Sequence, residues 1–155
     1  MRRKDREVTD KAAIESIIQR AAVCRLGLSE NDAAYIVPVN FGYKDNCLYF
    51  HSVPEGRKID IIRQNNNVCF EMDVDCEFVK KSEQPCNWSM KYRSVIGFGK
   101  AFLVQDAEGK RKALDIIVEH YSPGHDHYPY PEEMVGNIAV VKVEIDSLTG
   151  KQSGY

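Results

Sequence analysis

Apolar residues recur at helical spacing in three segments of the chain. Residues 12–22 carry isoleucines three and four positions apart, and the preceding Asp10 is a suitable N-cap. A second helix is predicted at about residues 54–64, because residues 52–55 have the spacing of a capping box. A third is predicted after Asp106, another capping residue. The pattern therefore predicts few helices, each of modest length.

Most of the remaining chain alternates apolar and polar residues with the period of two that is typical of β-strands. The predicted strands are residues 23–28, 35–43, 47–52, 68–74, 88–104 and 138–145. Gly97 and Gly99 interrupt one of them, which indicates a sharp bend or the close approach of another backbone. The charged residues 75–85 are predicted to form a loop. This balance favours a mainly β fold, a small barrel with peripheral helices at its ends.

Length and charge narrow the class of protein. At 155 residues the chain has the usual size of one domain with one core, so we expect residues 1–155 to form a single domain. The chain has 21 Lys and Arg residues against 23 Asp and Glu residues. It therefore lacks the excess of basic residues that is typical of nucleic-acid-binding proteins. No apolar run approaches the roughly 18 residues of a membrane span, and no apolar segment of a secretory signal follows the polar start.

The cysteines indicate a reducing compartment. There are five, an odd number without a CxxC pair, whereas disulfide frameworks favour even sets and zinc sites favour close pairs. Cys24, Cys47 and Cys69 lie in strand-like runs, where we expect small buried hydrophobic side chains. Cys76 and Cys86 are expected to be exposed, with nothing nearby that marks a nucleophile. We therefore expect a cytoplasmic protein.

The clearest candidate site is the end of a strand, at residues 49–58. The chain turns at a proline and a glycine, and then Arg57 and Lys58 open a helix. Helix N-termini attract anions, and a guanidinium fork matches phosphate oxygens, so these residues are suited to a phosphomonoester. Glu55 would repel an anion unless it caps the helix, and two solvated cations on an ordinary helix explain the pattern equally well.

Pro38 is the second candidate feature, because it stands inside a strand. A proline cannot donate to the ladder, so it belongs on an edge strand or beside a bulge. A flat heteroaromatic ligand can use the free backbone groups of such an edge. The alternative is an edge that the proline protects from aggregation.

Three segments in this order and spacing resemble the split-barrel, FMN-binding family of pyridoxamine 5'-phosphate oxidase-like proteins. They are IVPVNFGY at residues 36–43, LYFHS at 48–52 and GRK at 56–58. Within that family the chain is most similar to the nitroimidazole-resistance (Nim) proteins, which its residues 1–7 and 88–100 also resemble. The resemblance covers roughly residues 1–143.

The resemblance implies a split β-barrel that forms a homodimer and binds FMN in two clefts at the subunit interface. It assigns Arg57 and Lys58 to the phosphate, Val37, Pro38, Val39 and Asn40 to the isoalloxazine ring, His51 and Ser52 to the ribityl chain and ring, and Arg93 and Ser94 to the strand supplied by the partner. It also implies an oxidoreductase that takes electrons from a nicotinamide donor and reduces a small flat acceptor such as a nitroaromatic.

His51 has two readings. A histidine in an aromatic strand is often structural, but beside a flavin its imidazole is suited to donate a proton to the reduced substrate. We therefore treat His51 as the candidate catalytic residue.

Two other functions stay open. The first is a non-catalytic flavin carrier, redox sensor or haem protein on the same barrel, for which the axial ligand would come from the histidines, His51, His120, His125 or His127. The second is authentic pyridoxamine 5'-phosphate oxidation, which is disfavoured because the chain lacks a C-terminal tryptophan and an Arg-Leu-Pro-like ending. Trp88 is the only tryptophan, and it belongs either to the core or to the cleft wall.

The segment at residues 122–131 combines aromatic residues, prolines and two histidines. We predict no metal site from His125 and His127, because they lie in a loop-like sequence without an evident third ligand. Its tyrosines, together with Tyr121, either fold over the ligand cleft or pack against the side of the barrel.

Overall fold

The computed structural model describes residues 3–124 and 128–155. The strands are β1 (Glu7–Val8), β2 (Cys24–Glu30), β3 (Ala33–Val39), β4 (Gly42–Lys44), β5 (Cys47–Ser52), β6 (Asn67–Val79), β7 (Ser89–Val104) and β8 (Ala139–Ser153). The helices are α1 (Lys11–Arg20), α2 (Arg57–Gln64), α3 (Ala107–Tyr121) and α4 (Glu132–Gly136), and 3₁₀ turns lie at Lys4–Arg6 and Pro85–Asn87. Asp10 and Asp106 cap α1 and α3, as predicted.

The strands form one antiparallel sheet that curls into a split barrel. Its order is β3-β2-β6-β7-β8-β5-β4, and β1 pairs with β8. The end strands β3 and β4 are joined only by Asn40 and Phe41. Three Cα–Cα steps separate Val39 from Gly42 and span at most about 11 Å, so the end of β3 lies close to the start of β4. The mainly β split barrel expected from the sequence is confirmed.

The core lies inside the curled sheet. Phe41, Phe50 and Phe70 are fully buried there, each an anchor worth about 1.5–3 kcal/mol of transfer free energy. Isoleucines of α1 and α2 complete the same cluster. Gly97 allows close packing, because a Cβ at that position would lie 2.1 Å from the Phe70 ring. A Cβ at Gly99 would lie 2.2 Å from the Glu144 carbonyl oxygen, so the close backbone approach predicted from the strand glycines is present at Gly99.

Helix α3 packs against β4 and β5. His120 Nε2 lies 2.8 Å from the Ala21 carbonyl oxygen. The Tyr121 hydroxyl accepts a hydrogen bond from the Phe41 N–H at 3.1 Å and donates one to the Ala22 carbonyl at 3.0 Å. These hydrogen bonds attach the C-terminal end of α3 to the barrel. Of the two positions predicted for Tyr121, the structure shows packing against the barrel and not a lid over a cleft.

Several predicted boundaries were wrong. Helix α2 begins at Arg57 and has no side-chain cap, because Gly56 adopts φ 113° before it and ends the turn. The charged stretch predicted to be a loop is strand as far as Val79, because a bulge with Asp75 at φ 55° restores pairing with β7. Strand β8 continues to Ser153, and the predicted strand at residues 35–43 is broken between β3 and β4.

The cysteines largely follow the prediction. All five are free; Cys24 is buried, and burial raises the pKa of its thiol to about 12. Cys47 and Cys69 are only half-buried, because they lie on strand positions that alternate with the core positions. Cys76 is exposed and donates to Asp73 at 2.9 Å, a hydrogen bond that raises the pKa of the thiol. Cys86 is exposed as well.

Trp88 lies outside the core, at the tip of the β6–β7 hairpin. Its ring packs edge-on against Phe78 with centroids 5.6 Å apart, and its Nε1–H donates to the Ser82 carbonyl at 2.8 Å. Within the described part of the chain, no helix has the length and apolar character to span a membrane. No group of three or more potential metal ligands occurs among those residues, and His125 and His127 lie outside them.

Candidate functional site

Arg57, the first residue of α2, is held from two sides. Its Nε and Nη2 each lie 3.2 Å from Oε2 of Glu30, at the end of β2. Its guanidinium also lies over the Tyr35 ring, 4.7 Å from the centroid. Tyr35 belongs to β3, so the N-terminus of α2 sits beside the β2–β3 hairpin.

Lys58 follows on the same turn but in a different environment. It is half-buried, its Nζ lies 5.5 Å from the centroid of the Phe50 ring, and burial lowers the pKa of the ammonium group. It forms no ion pair with any carboxylate of residues 3–124 and 128–155. A cation withdrawn from water without a counter-charge is costly unless an anion joins it. The arrangement fits a bound phosphate group.

His51 and Ser52 end the strand that leads into this turn. His51 pairs with Val140 and Ser52 with Ala139 in the β5–β8 ladder. The side chain of Phe50 points into the core, so the next residue, His51, is exposed on the outer face. Only four residues separate Ser52 from Arg57, so the strand end and the two cations form one local site.

Residues 37–39 lie on an edge strand, as predicted from Pro38, and Asn40 directly follows its end. Strand β3 is the last in the sheet order, and Pro38 pairs only with Arg25 of β2. Val37 and Val39 are half-buried and buried, whereas Pro38 and Asn40 are exposed. Alternation therefore gives these four residues two different roles: two support the strand from the core, and two face outward.

Arg93 and Ser94 lie on β7, in the middle of the sheet, and point in different directions. Arg93 forms an ion pair with Asp75 at 2.6 Å, and its guanidinium lies 3.9 Å from the centroid of the Tyr155 ring. Hydrogen bonds from Arg20 and Arg93 lower the pKa of Asp75. Because neighbouring residues of a strand face opposite sides, Ser94 lies on the other face. Within one chain, Arg93 thus has partners different from those of Arg57.

The face that carries Ser94 exposes several large apolar side chains among charged neighbours such as Glu71 and Lys142. We define the β7 stripe as Ile96, Phe98 and Phe102 of β7 together with Ile36 of β3, which are between 42% and 67% exposed. Ile36 lies in register with Gly27, Cys69 and Phe98 across four adjacent strands. An exposed apolar band of this kind marks a protein–protein contact surface.

The cations at α2 do not line the cavity beneath α3. That cavity has a volume of about 950 Å³, and its walls include Tyr43, Tyr49 and His120. None of the ten site residues predicted from the sequence lines it. The residues predicted from the sequence therefore lie outside this cavity.

Sequence reasoning missed Glu30 and Tyr35. Glu30 lies outside the predicted strands, and Tyr35 is the first residue of the strand predicted at residues 35–43, with no functional role expected for either residue. Their contact with Arg57 spans 27 positions in the case of Glu30, and no local pattern signals such a pair. Of the histidines suggested as haem ligands, His120 has its Nε2 engaged by Ala21, and His51 is exposed.

Comparison with known proteins gives consistent results. Residues 10–152 match the pyridoxamine 5'-phosphate oxidase family. A crystal structure from Bacteroides thetaiotaomicron, described as a candidate 5-nitroimidazole antibiotic resistance protein, is 41% identical, with a TM-score of 0.84 over 94% of this chain and 86% of that one. An uncharacterized protein of Rhizobium meliloti is 26% identical over 93% of both chains. The flavocytochrome Anf3 of Azotobacter vinelandii, 19% identical, shares the fold with a TM-score of 0.86 over 100% of this chain and 72% of its own.

Proposed function

The chain belongs to the pyridoxamine 5'-phosphate oxidase family, and on that premise we propose that it is an FMN-binding oxidoreductase. It takes electrons from a nicotinamide donor and passes them to a small, flat acceptor. The observation that carries the proposal is Lys58, a half-buried ammonium that forms no ion pair with a carboxylate of the described residues, beside Arg57 at a helix N-terminus. A phosphate monoester supplies the missing counter-charge there.

The phosphate is bound by three kinds of donor. Lys58 contributes a point charge, Arg57 contributes N–H groups that Glu30 leaves unused, and the first turn of α2 contributes free backbone N–H groups. Gly56 leaves open space in front of this turn, because a Cβ there would meet nothing within 4 Å. The site therefore has both the charge and the room for a phosphate group.

The isoalloxazine ring lies along the free edge of β3, where Pro38 and Asn40 face outward and Val37 and Val39 support the strand from the core. A homodimer completes the cleft, with Arg93 and Ser94 supplied by the second copy. The β7 stripe supports this assembly, because Ser94 shares its face with Ile96 and Phe98.

The bound flavin supplies the electron chemistry, so the protein has only to bind, orient and protonate. His51 and Ser52 lie beside the ribityl chain and the ring. The exposed imidazole of His51 donates a proton to the acceptor as it is reduced. A nitroaromatic acceptor is proposed because the 41% identical relative is described as a nitroimidazole resistance protein.

The test is the visible spectrum of the purified protein, before and after adding FMN, followed by turnover with NADH or NADPH and a nitroimidazole. We expect bands near about 375 and 450 nm that travel with the protein, bleach with the nicotinamide donor and return with the acceptor. In a combined Arg57→Ala and Lys58→Ala variant, we expect the bands to be lost while the melting temperature is kept.

Lys112→Ala combined with Lys11→Ala is the matched control, since it removes two exposed cations that lie on α3 and α1 and not on α2. It should retain FMN. Unchanged FMN affinity in the Arg57 and Lys58 variant would refute the phosphate site. Binding of FMN without turnover would indicate a flavin carrier, and an intense Soret band would indicate a haem protein.

A further inference from the structure

Glu30 uses one edge of the Arg57 guanidinium. The Nε–H donates a hydrogen bond to Oε2 of Glu30 at 3.2 Å, and Nη2 lies 3.2 Å from the same oxygen, so the contact occupies the side of the guanidinium formed by Nε and Nη2. The remaining N–H groups lie on Nη1 and on the outer side of Nη2. This free edge is the two-pronged fork that binds a phosphate group.

Tyr35 fixes the plane of the same guanidinium. Its ring is partly buried against the core, so it is itself held in place, and the guanidinium lies over it at 4.7 Å. Stacking on an aromatic face limits the tilt of the guanidinium, and the Glu30 contact limits its rotation in that plane. Together they leave the free edge pointing in one direction.

The carboxylate is also a negative charge close to the proposed phosphate, so two effects of Glu30 compete. If orientation dominates, removing Glu30 weakens phosphate binding. If repulsion dominates, removing it strengthens phosphate binding. The Glu30 side chain is 29% exposed against 55% for Arg57, so Glu30 is the more enclosed partner of the pair and Arg57 the more accessible one. This difference favours orientation.

We infer that Glu30 and Tyr35 are positioning residues that aim the free edge of Arg57 at the flavin phosphate and so determine the preference for FMN over riboflavin. The inference rests on the proposed function. It names two residues that touch neither phosphate nor ring and act only through Arg57.

The experiment measures the dissociation constants of FMN and riboflavin by fluorescence titration of the full-length apoprotein, and takes their ratio as the phosphate preference. Glu30→Ala should lower that ratio roughly five- to tenfold, with riboflavin binding unchanged. Tyr35→Leu should lower it about two- to fivefold, while Tyr35→Phe, which keeps the ring, should not change it. Glu30→Gln keeps an oxygen acceptor and should retain most of the preference.

Asp32→Asn is the matched control. It removes a negative charge from the same hairpin at a residue that does not contact Arg57, and asparagine tolerates the φ of 65° found there. We expect no change in the ratio. In an Arg57→Ala background, Glu30→Ala should have no further effect, because a positioning residue has nothing left to position.

The outcomes distinguish the proposed phosphate site from the positioning role of Glu30 and Tyr35. A wild-type protein that does not bind FMN, or binds it no better than riboflavin, overturns the phosphate site and the inference with it. A wild type that prefers FMN, together with a Glu30→Ala variant whose ratio is unchanged or raised, overturns only the inference. An effect of Glu30→Ala that persists without Arg57 also overturns it, since the residue would then act by another route.

Discussion

At the scale of single residues, the two cations of the site differ in what burial does to them. Arg57 is exposed and has a carboxylate partner, whereas Lys58 is half-buried and has an aromatic ring as its neighbour. Desolvation lowers the pKa of Lys58 below its ordinary value of 10.5. A phosphate group restores the charged form, so ligand binding and protonation of Lys58 are linked.

This linkage predicts how FMN affinity depends on pH. The full affinity is present while Lys58 is protonated, and it falls as the pH rises through the lowered pKa, which lies below 10.5. Titrations with FMN from pH 7 to pH 10 should show this fall, and parallel titrations with riboflavin correct for ionisation of the flavin ring itself. Lys58→Arg should bind FMN without the fall, because arginine stays charged over the whole range. The same pH profile in Lys58→Arg and wild type would contradict the assignment.

At the scale of elements, α3 lies so close to β4 that a side chain is excluded between them. A Cβ at Gly42 would lie 2.4 Å from the Ile116 carbonyl oxygen of α3. The position of a Cβ is fixed by its own backbone, and the Ile116 oxygen belongs to the backbone of α3. Neither a rotamer change nor a small side-chain shift therefore relieves the contact. The position of α3 over the β4–β5 hairpin therefore depends on the absence of a side chain at residue 42.

Gly42→Ala is accordingly expected to lower the free energy of unfolding by about 1–3 kcal/mol. Equilibrium unfolding in urea measures the change, with tryptophan fluorescence and circular dichroism as separate probes. Gly136→Ala is the matched control, because a Cβ at Gly136 would meet nothing within 4 Å. Equal stabilities of the two variants would mean that α3 does not approach β4 this closely.

At the scale of the whole molecule, the predicted site is divided. Arg57 and Lys58 lie beside the β2–β3 end of the strand order, and His51 lies on β5, near its other end. Arg93 and Ser94 lie on β7, at the middle of the sheet. The exposed β7 stripe adjoins Ser94, and covering it with a second copy of the chain would bury apolar surface and bring the two parts of the site together. Assembly and flavin binding are therefore expected to depend on each other.

Phe98→Asp tests this dependence. A charge in the middle of the stripe should convert the dimer to a monomer and weaken FMN binding at least tenfold, measured by light scattering and by titration of the same samples. Met134→Asp places the same charge on an exposed apolar residue of α4, away from the stripe, and should leave both properties unchanged. A wild-type monomer that still binds FMN tightly would contradict the shared cleft.

Much of the architecture was predictable from the sequence because it depends on local geometry. The period of two identified the strands, Asp10 and Asp106 marked the starts of α1 and α3, and Pro38 indicated an edge. The boundaries that were wrong depend on distant residues instead. For example, the Asp75 bulge that extends β6 is held by Arg20 and Arg93, which are remote in sequence.

The candidate site also combines features that depend on the local sequence with features that depend on distant residues. The sequence by itself determined that a strand end, a glycine turn and two adjacent cations stand in series, because chain connectivity alone brings those residues together. Only the tertiary structure decided that Lys58 forms no ion pair with a carboxylate of the described residues, that Glu30 and Tyr35 contact Arg57, and that Arg93 pairs with Asp75. Burial and long-range ion pairing arise when separate elements pack together, so no local pattern along the chain contains them.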